Sequence, residues 1–216
     1  MDKNKQFILD TIFKMYPKAN CELHYKTPIQ LAIAVILSAQ TTDVAVNKVT
    51  PNLFSKFKTL EQLAIAPIED IEKAIQKIGL YRNKAKHIQE FAQQVLERHQ
   101  GVLPSDFDAL VQLAGIGRKT ANVIQAVAFH IPALAVDTHV ERVAHRLGLV
   151  TQNADVYQTE LQLKRLIPKH LWIQAHHSIL FFGRYHCLSR QPKCAECPLY
   201  NPCHFNQKSV YQKKGT

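Results

Sequence analysis

The sequence predicts an all-α fold, and three observations carry that prediction. Apolar residues recur at the three- and four-residue spacing of helix faces, and no segment sustains the alternation of β-branched residues that a strand needs. Prolines and glycines fall where such helices should start and stop. Hydrophobic residues make up 46% of the 216 residues and only seven are glycine, which fits a chain with a sizeable core and excludes a disordered one.

Phe7, Ile8, Thr11, Ile12 and Met15 share a helical face, and Tyr16-Pro17 ends that segment. After Thr27-Pro28, Ile29 to Ala39 reads as a buried helix with proline in its first turn. The next begins near Asp43 and is expected to stop before Pro51, which lacks the amide donor a helix interior uses. Leu60 to Ala64, Ile68 to Ile78 and Lys84 to His99 give three more, with Gly79 and Gly101 as stops. Phe107 to Leu113, capped by Ser105 or Asp106, the turn 114–117 and a helix from about Arg118 to Phe129 form a helix-turn-helix pair. His130-Ile131-Pro132 breaks the run. A helix then starts with Asp137 or Thr138 near its N-cap, and further helices follow at about 154–166 and 168–183. Trp172, Phe181 and Phe182 read as core. The adjacent His176 and His177 point about 100° apart on a helix and read as packing or surface residues, not chelators. Lys208 to Lys214 reads as a solvated basic end.

Charge narrows the partners. Lysine and arginine number 27 against 17 aspartates and glutamates, a net +10, and such a surface suits a polyanion whose counterions are released on binding. The longest apolar run, Leu31 to Leu37, is far too short to span a bilayer, so no membrane role is expected. Met1 to Gln6 lacks the apolar stretch of a secretory signal. A cytoplasmic, nucleoid-associated protein is expected, in which thiols stay reduced and clustered cysteines hold metal.

Two groups of residues could do chemistry. Cys187, Cys194, Cys197 and Cys203 follow a Cys-x6-Cys-x2-Cys-x5-Cys pattern punctuated by Pro192, Pro198 and Pro202. Four clustered thiolates suit one metal centre, and zinc and iron–sulfur both accept that donor set. Cys21 stands apart and reads as an ordinary buried thiol. The second group is Gly115-Ile116-Gly117-Arg118-Lys119, followed later by Asp137. A Gly-x-Gly turn opening a helix brings backbone N–H groups close to a phosphate, and a neighbouring lysine can attack an electrophilic sugar carbon. Asp137 can stabilise positive charge in such a reaction, cap a helix, or do both.

Leu-x-Gly-Ile-Gly-Arg-Lys-Thr-Ala-Asn-Val at 113–123, Val-Asp-Thr-His-Val-x-Arg-Val at 136–143 and the cysteine pattern together resemble the endonuclease III family of helix-hairpin-helix DNA glycosylases. Leu37-Ser38-Ala39-Gln40-Thr41-Thr42-Asp43 and Ile78-Gly79-Leu80-Tyr81 match it too, so the likeness spans 37–203. The resemblance implies a two-lobed fold: residues 22–131 carrying the hairpin, and 1–21 with 132–216 carrying a [4Fe–4S] cluster on Cys187, Cys194, Cys197 and Cys203, with DNA in a cleft between the lobes. It implies Lys119 as the nucleophile on C1′ of a damaged nucleotide, neutral when it attacks, and Asp137 as the catalytic carboxylate. An imine followed by loss of a C2′ proton gives both base removal and strand cleavage, here of oxidised pyrimidines in base-excision repair. The implied DNA contacts are the amides of Gly115 and Gly117, Arg118, His139, Arg190 and Lys193. Gln40 and Leu80 are the implied inserting residues, because a base must leave the stack and the gap must be filled. The expected partner is duplex DNA with damaged bases or abasic sites, bound by a monomer.

Many family members carry proline where this chain has Ala114, which should loosen the start of the turn. One rival reading is a monofunctional adenine glycosylase; Lys119, and a chain ending soon after Cys203, weigh against it. The other is a non-enzymatic, metal-stabilised DNA-binding module, against which Asp137 weighs.

Overall fold

The structure, a computed structural model, describes residues 2–212. Among these every regular element is helical. In chain order the α-helices are α1 (Lys3–Met15), α2 (Pro28–Leu37), α3 (Asp43–Lys56), α4 (Leu60–Ile65), α5 (Ile68–Ile75), α6 (Tyr81–His99), α7 (Phe107–Val111), α8 (Arg118–Ala128), α9 (Thr138–Arg146), α10 (Val156–Leu166), α11 (Trp172–Phe181) and α12 (Lys208–Gln212). Two compact units form, Glu22–Ile131 and a discontinuous one joining Met1–Cys21 to Pro132–Thr216. No described helix is long and apolar enough to cross a membrane.

In the unit 22–131, α2 is the central element. Thr27 caps it by accepting the Gln30 N–H at 3.2 Å, Pro28 opens it, and all seven residues from Leu31 to Leu37 are buried. Each fully buried aliphatic side chain of this kind contributes roughly 1.5–3 kcal/mol. The second long helix, α6, buries Ala85, Ile88, Phe91, Ala92 and Val95 along one stripe. It ends where Gln100 and Gly101 both adopt positive φ and the Gly101 N–H returns to the Val95 carbonyl at 3.1 Å.

Three expectations for this unit are corrected. Helix α3 runs through Pro51 to Lys56: burial of Val46, Val49, Thr50 and Leu53 on both sides of the proline outweighs the lost amide bond. Helix α5 ends at Ile75, not Ile78, and Gly79 is not the left-handed stop. That conformation falls on Leu80, with φ of 57°, and α6 consequently starts at Tyr81, three residues before the expected Lys84. Cys21, which belongs to the discontinuous unit and was expected to be buried, is half-buried.

The discontinuous unit has its own core. Ile8, Leu9 and Ile12 of α1 join Val140, Val143 and Ala144 of α9, Leu163 of α10 and Ala175 and Ile179 of α11. The Ser178 hydroxyl donates to the Tyr16 carbonyl at 3.1 Å, and the Tyr16 ring packs edge-on against Phe181 and Phe182. The single helix expected at 168–183 is three elements: a 3₁₀ turn Lys169–Leu171, then α11, then a π-helical turn Phe182–His186 that leads directly into Cys187. Of the aromatic residues read as core, Phe182 is buried whereas Trp172 and Phe181 are half-buried at its margin. His176 and His177 are packing residues: both are buried, and the His176 Nδ1 lies 2.9 Å from the Ala135 carbonyl. Burial, then the neighbouring His176, hold His177 down to a pKa of about 3.

Candidate functional site

The hairpin is set by three buried apolar residues, Leu110, Leu113 and Ile116, linked by turn bonds from Leu113 N–H to the Leu110 carbonyl and from Ile116 N–H to the Leu113 carbonyl, each 3.1 Å. Its two glycines serve different ends. Gly115 has φ of 75°, and a Cβ there would sit 2.9 Å from Ile36 Cγ2 and 3.2 Å from His87 Cβ, so it is glycine for reasons internal to the protein. Gly117 has an ordinary φ of −94° and nothing within 4 Å of where a Cβ would be. The space over Gly117 lies beside the start of α8.

That start is electrostatically unfinished. No side chain caps α8, its first turn has no acid, and its first two residues are the exposed Arg118 and Lys119. Amide donors and the positive end of the helix dipole therefore stand beside two cations, an arrangement that an anion relieves. The Arg118 guanidinium lies over the Phe107 ring at 5.2 Å. Ala114 does not loosen the turn: its N–H donates to the Gln94 Oε1 at 2.7 Å, a bond that proline could not make.

Gln40 and Leu80 share an unusual geometry. Both are exposed and both adopt the left-handed conformation, with φ of 52° and 57°. For residues with side chains that backbone costs roughly 1–2 kcal/mol each. Leu80 is 55% exposed, so this leucine lies outside the core.

In the other unit Asp137 is the N-cap of α9. Its Oδ1 accepts the N–H groups of His139 at 2.9 Å and Val140 at 2.8 Å, which fixes the half-buried carboxylate. Burial lowers the pKa of His139, against the opposing pull of Asp137. Its Nδ1 lies 3.2 Å from Arg142 Nη2. Arg142 also donates to the carbonyls of Cys187 at 3.2 Å and Gly183 at 2.7 Å, tying the helix that Asp137 caps to the start of the cysteine segment. Gly183 permits that approach, since a Cβ there would meet the Cβ and carbonyl of His139 at 3.0 Å.

The four cysteines line one small pocket, together with Leu147, Phe205 and others. Their loops are held by cations. Arg146 donates to the Leu188 carbonyl at 2.7 Å, to the Ser189 carbonyl at 3.3 Å and to the Cys187 Sγ at 3.4 Å, and lies 4.0 Å over the Phe205 ring. Lys208, read from sequence as part of a solvated end, instead donates to the carbonyls of Tyr200 and Cys203 at 2.8 and 2.7 Å; Lys213 and Lys214 lie outside the described residues. Burial pushes the thiols of Cys194 and Cys203 up and that of Cys197 up to about 11, with neighbouring thiolates adding to the rise. Arg190 and Lys193 are exposed on the same loops.

Arg142, Arg146, Gly183 and Lys84, a buried lysine of α6, escape sequence reasoning. Charged residues on an amphipathic helix read as solvated, and no local pattern marks which of them face a neighbouring loop.

Residues 33–169 match the HhH-GPD superfamily of base excision DNA repair proteins. Endonuclease III of Bacillus subtilis (strain 168) is 50% identical over 213 residues, 99% of this chain and 96% of that protein. Endonuclease III of Escherichia coli (strain K12) is 38% identical over 209 residues, 96% of this chain and 99% of that one. Among solved structures, a trapped endonuclease III–DNA covalent intermediate in an estranged-adenine complex has a TM-score of 0.92 at 47% identity, covering 97% of this chain and 100% of that one. A thermostable thymine-DNA glycosylase has a TM-score of 0.83 at 25% identity, covering 99% and 98%. On this combination of hairpin, carboxylate and near-full-length similarity, the chain belongs to the endonuclease III family of the HhH-GPD superfamily of base excision DNA repair proteins.

Proposed function

We propose that this chain is a bifunctional DNA glycosylase and apurinic/apyrimidinic lyase that removes oxidised pyrimidines from duplex DNA in base-excision repair, acting as a monomer on nucleoid DNA in the cytoplasm. The observation that carries the reading is Lys119, an exposed amine in the uncapped first turn of α8 beside the open Gly117. A relative caught in a covalent intermediate with DNA supports the same chemistry.

A DNA phosphate meets the hairpin amides of Gly115 and Gly117 and the Arg118 side chain without any reading of sequence. Gln40 and Leu80 fill the gap as the damaged nucleotide leaves the stack, and His139, Arg190 and Lys193 make further contacts with DNA. The Lys119 amine lends its lone pair to C1′, the C1′–N bond breaks, and the base departs with that electron pair and gains a proton. Opening of the sugar gives the imine. Loss of a C2′ proton then expels the 3′ oxygen with its phosphate, and water releases the lysine. Asp137 is the carboxylate of the same reaction, stabilising charge at C1′ and receiving the lysine proton. Because its Oδ1 is already fixed by two amides, the group is positioned before substrate arrives.

Cys187, Cys194, Cys197 and Cys203 would hold a [4Fe–4S] cluster. Four thiols line one cavity, with Arg146 and Lys208 placed to offset thiolate charge. Bound there, it would cross-link the cysteine loops and present Arg190 and Lys193 to phosphates.

Borohydride trapping on duplex DNA containing an oxidised pyrimidine tests the reaction. Wild type should give a covalent adduct and Lys119→Ala none; absence of an adduct from wild-type protein that still excises the base would overturn the imine.

A further inference from the structure

Lys84 is 3% exposed, and it is the one buried lysine or arginine among the described residues. It lies in the first turn of α6. Its ammonium donates to the Thr41 hydroxyl at 2.6 Å, and its backbone N–H donates to the Leu80 carbonyl at 3.0 Å. Thr41 directly follows Gln40. One residue thus grips both segments whose tips carry exposed, left-handed side chains.

The composition of this contact is unexpected if packing were its purpose. Burying an ammonium costs several kcal/mol, and a neutral hydroxyl repays less of it than a carboxylate would. Methionine would fill similar volume without that penalty. What an ammonium adds is a short directional bond. Burial also draws the amine's pKa below that of an ordinary lysine, as desolvation of a charge must.

We propose that Lys84 is a positioning residue that fixes the segment bearing Gln40 to the segment bearing Leu80, so that the two side chains enter the duplex as one preset pair. The inference rests on the reading of Gln40 and Leu80 as inserting residues and assigns to it a mechanical cause. A misplacement of about 1 Å in such a pair costs up to about a hundredfold in rate. The effect should be confined to duplex substrates, since a single strand has no orphaned partner base and no gap to fill.

The test compares Lys84→Met, Thr41→Val and Thr41→Ser with wild type in base excision from duplex DNA and in cleavage of a preformed abasic site in a single strand. Lys84→Met and Thr41→Val should each slow duplex excision about tenfold or more, the double variant should be no slower than either, and Thr41→Ser should restore near wild-type rates. Single-strand cleavage should stay within about twofold throughout. Equal losses on both substrates, or normal duplex rates in Lys84→Met, would reduce Lys84 to a packing residue. Gln40→Ala and Leu80→Ala serve as controls. If both leave duplex excision intact, insertion itself is wrong, and positioning by Lys84 fails with it.

Discussion

The hairpin at 107–128 and the cysteine segment at 187–203 present basic residues in different ways. The hairpin is held by Leu110, Leu113 and Ile116 and by one glycine with no room for a side chain. The cysteine segment has one 3₁₀ turn, Cys194–Glu196, and two buried residues beyond Cys187, Pro192 and Leu199. Arginine and lysine bonds to loop carbonyls do there what apolar packing does in the hairpin. A surface presented by its own core should survive loss of ligands, whereas one presented by polar ties and thiols should not.

The sharpest way to break this contrast is to remove the cluster proposed for the four cysteines. Oxidation and chelation of the holoprotein should abolish amide protection across 187–203, a loss of several kcal/mol locally, while α2, α6 and α8 keep theirs in hydrogen exchange. Loss of protection in α8 to the same extent would erase the distinction. Substitution within the hairpin comes next. Gly115→Ala should cost roughly 2–4 kcal/mol, the sum of a left-handed backbone and a 2.9 Å overlap, read as a fall in Tm. Gly117→Ala should leave Tm unchanged and weaken DNA binding about tenfold, because its space faces outward.

Acid sensitivity is a test at the other unit's core, and near neutral pH its effect is small. His177 has a folded pKa of about 3 against an ordinary value of 6.5. The unfolded chain therefore takes up a proton that the folded one refuses. Stability is full above about pH 6.5 and falls as pH drops toward 3, by at most about 1.4 kcal/mol per pH unit. His177→Phe should flatten that slope in denaturant titrations. If the slope persists, other groups carry it.

The motif residues were the legible part of the chain. Gly115, Gly117, Lys119, Asp137 and the four cysteines stand out because the chemistry proposed for them depends on residue type and spacing, both written in one dimension. The helices were legible wherever apolar period and punctuation agree, as at α2 and α8. Pro51 misleads because the punctuation there is overruled by burial from both sides. The π-helical turn before Cys187 carries no pattern of its own. Lys84 and Lys208 mislead in another way: a lysine's letter carries no sign of whether its long stem ends in water or against a carbonyl from a distant loop.

The bond between Ala114 and Gln94 has a consequence for descent. An amide donor at position 114 gives the glutamine of α6 work that an imino acid would abolish, so stiffness at this corner has two mutually exclusive origins. Lineages bearing a pyrrolidine there are free to lose the glutamine, whereas lineages bearing alanine should inherit the pair together.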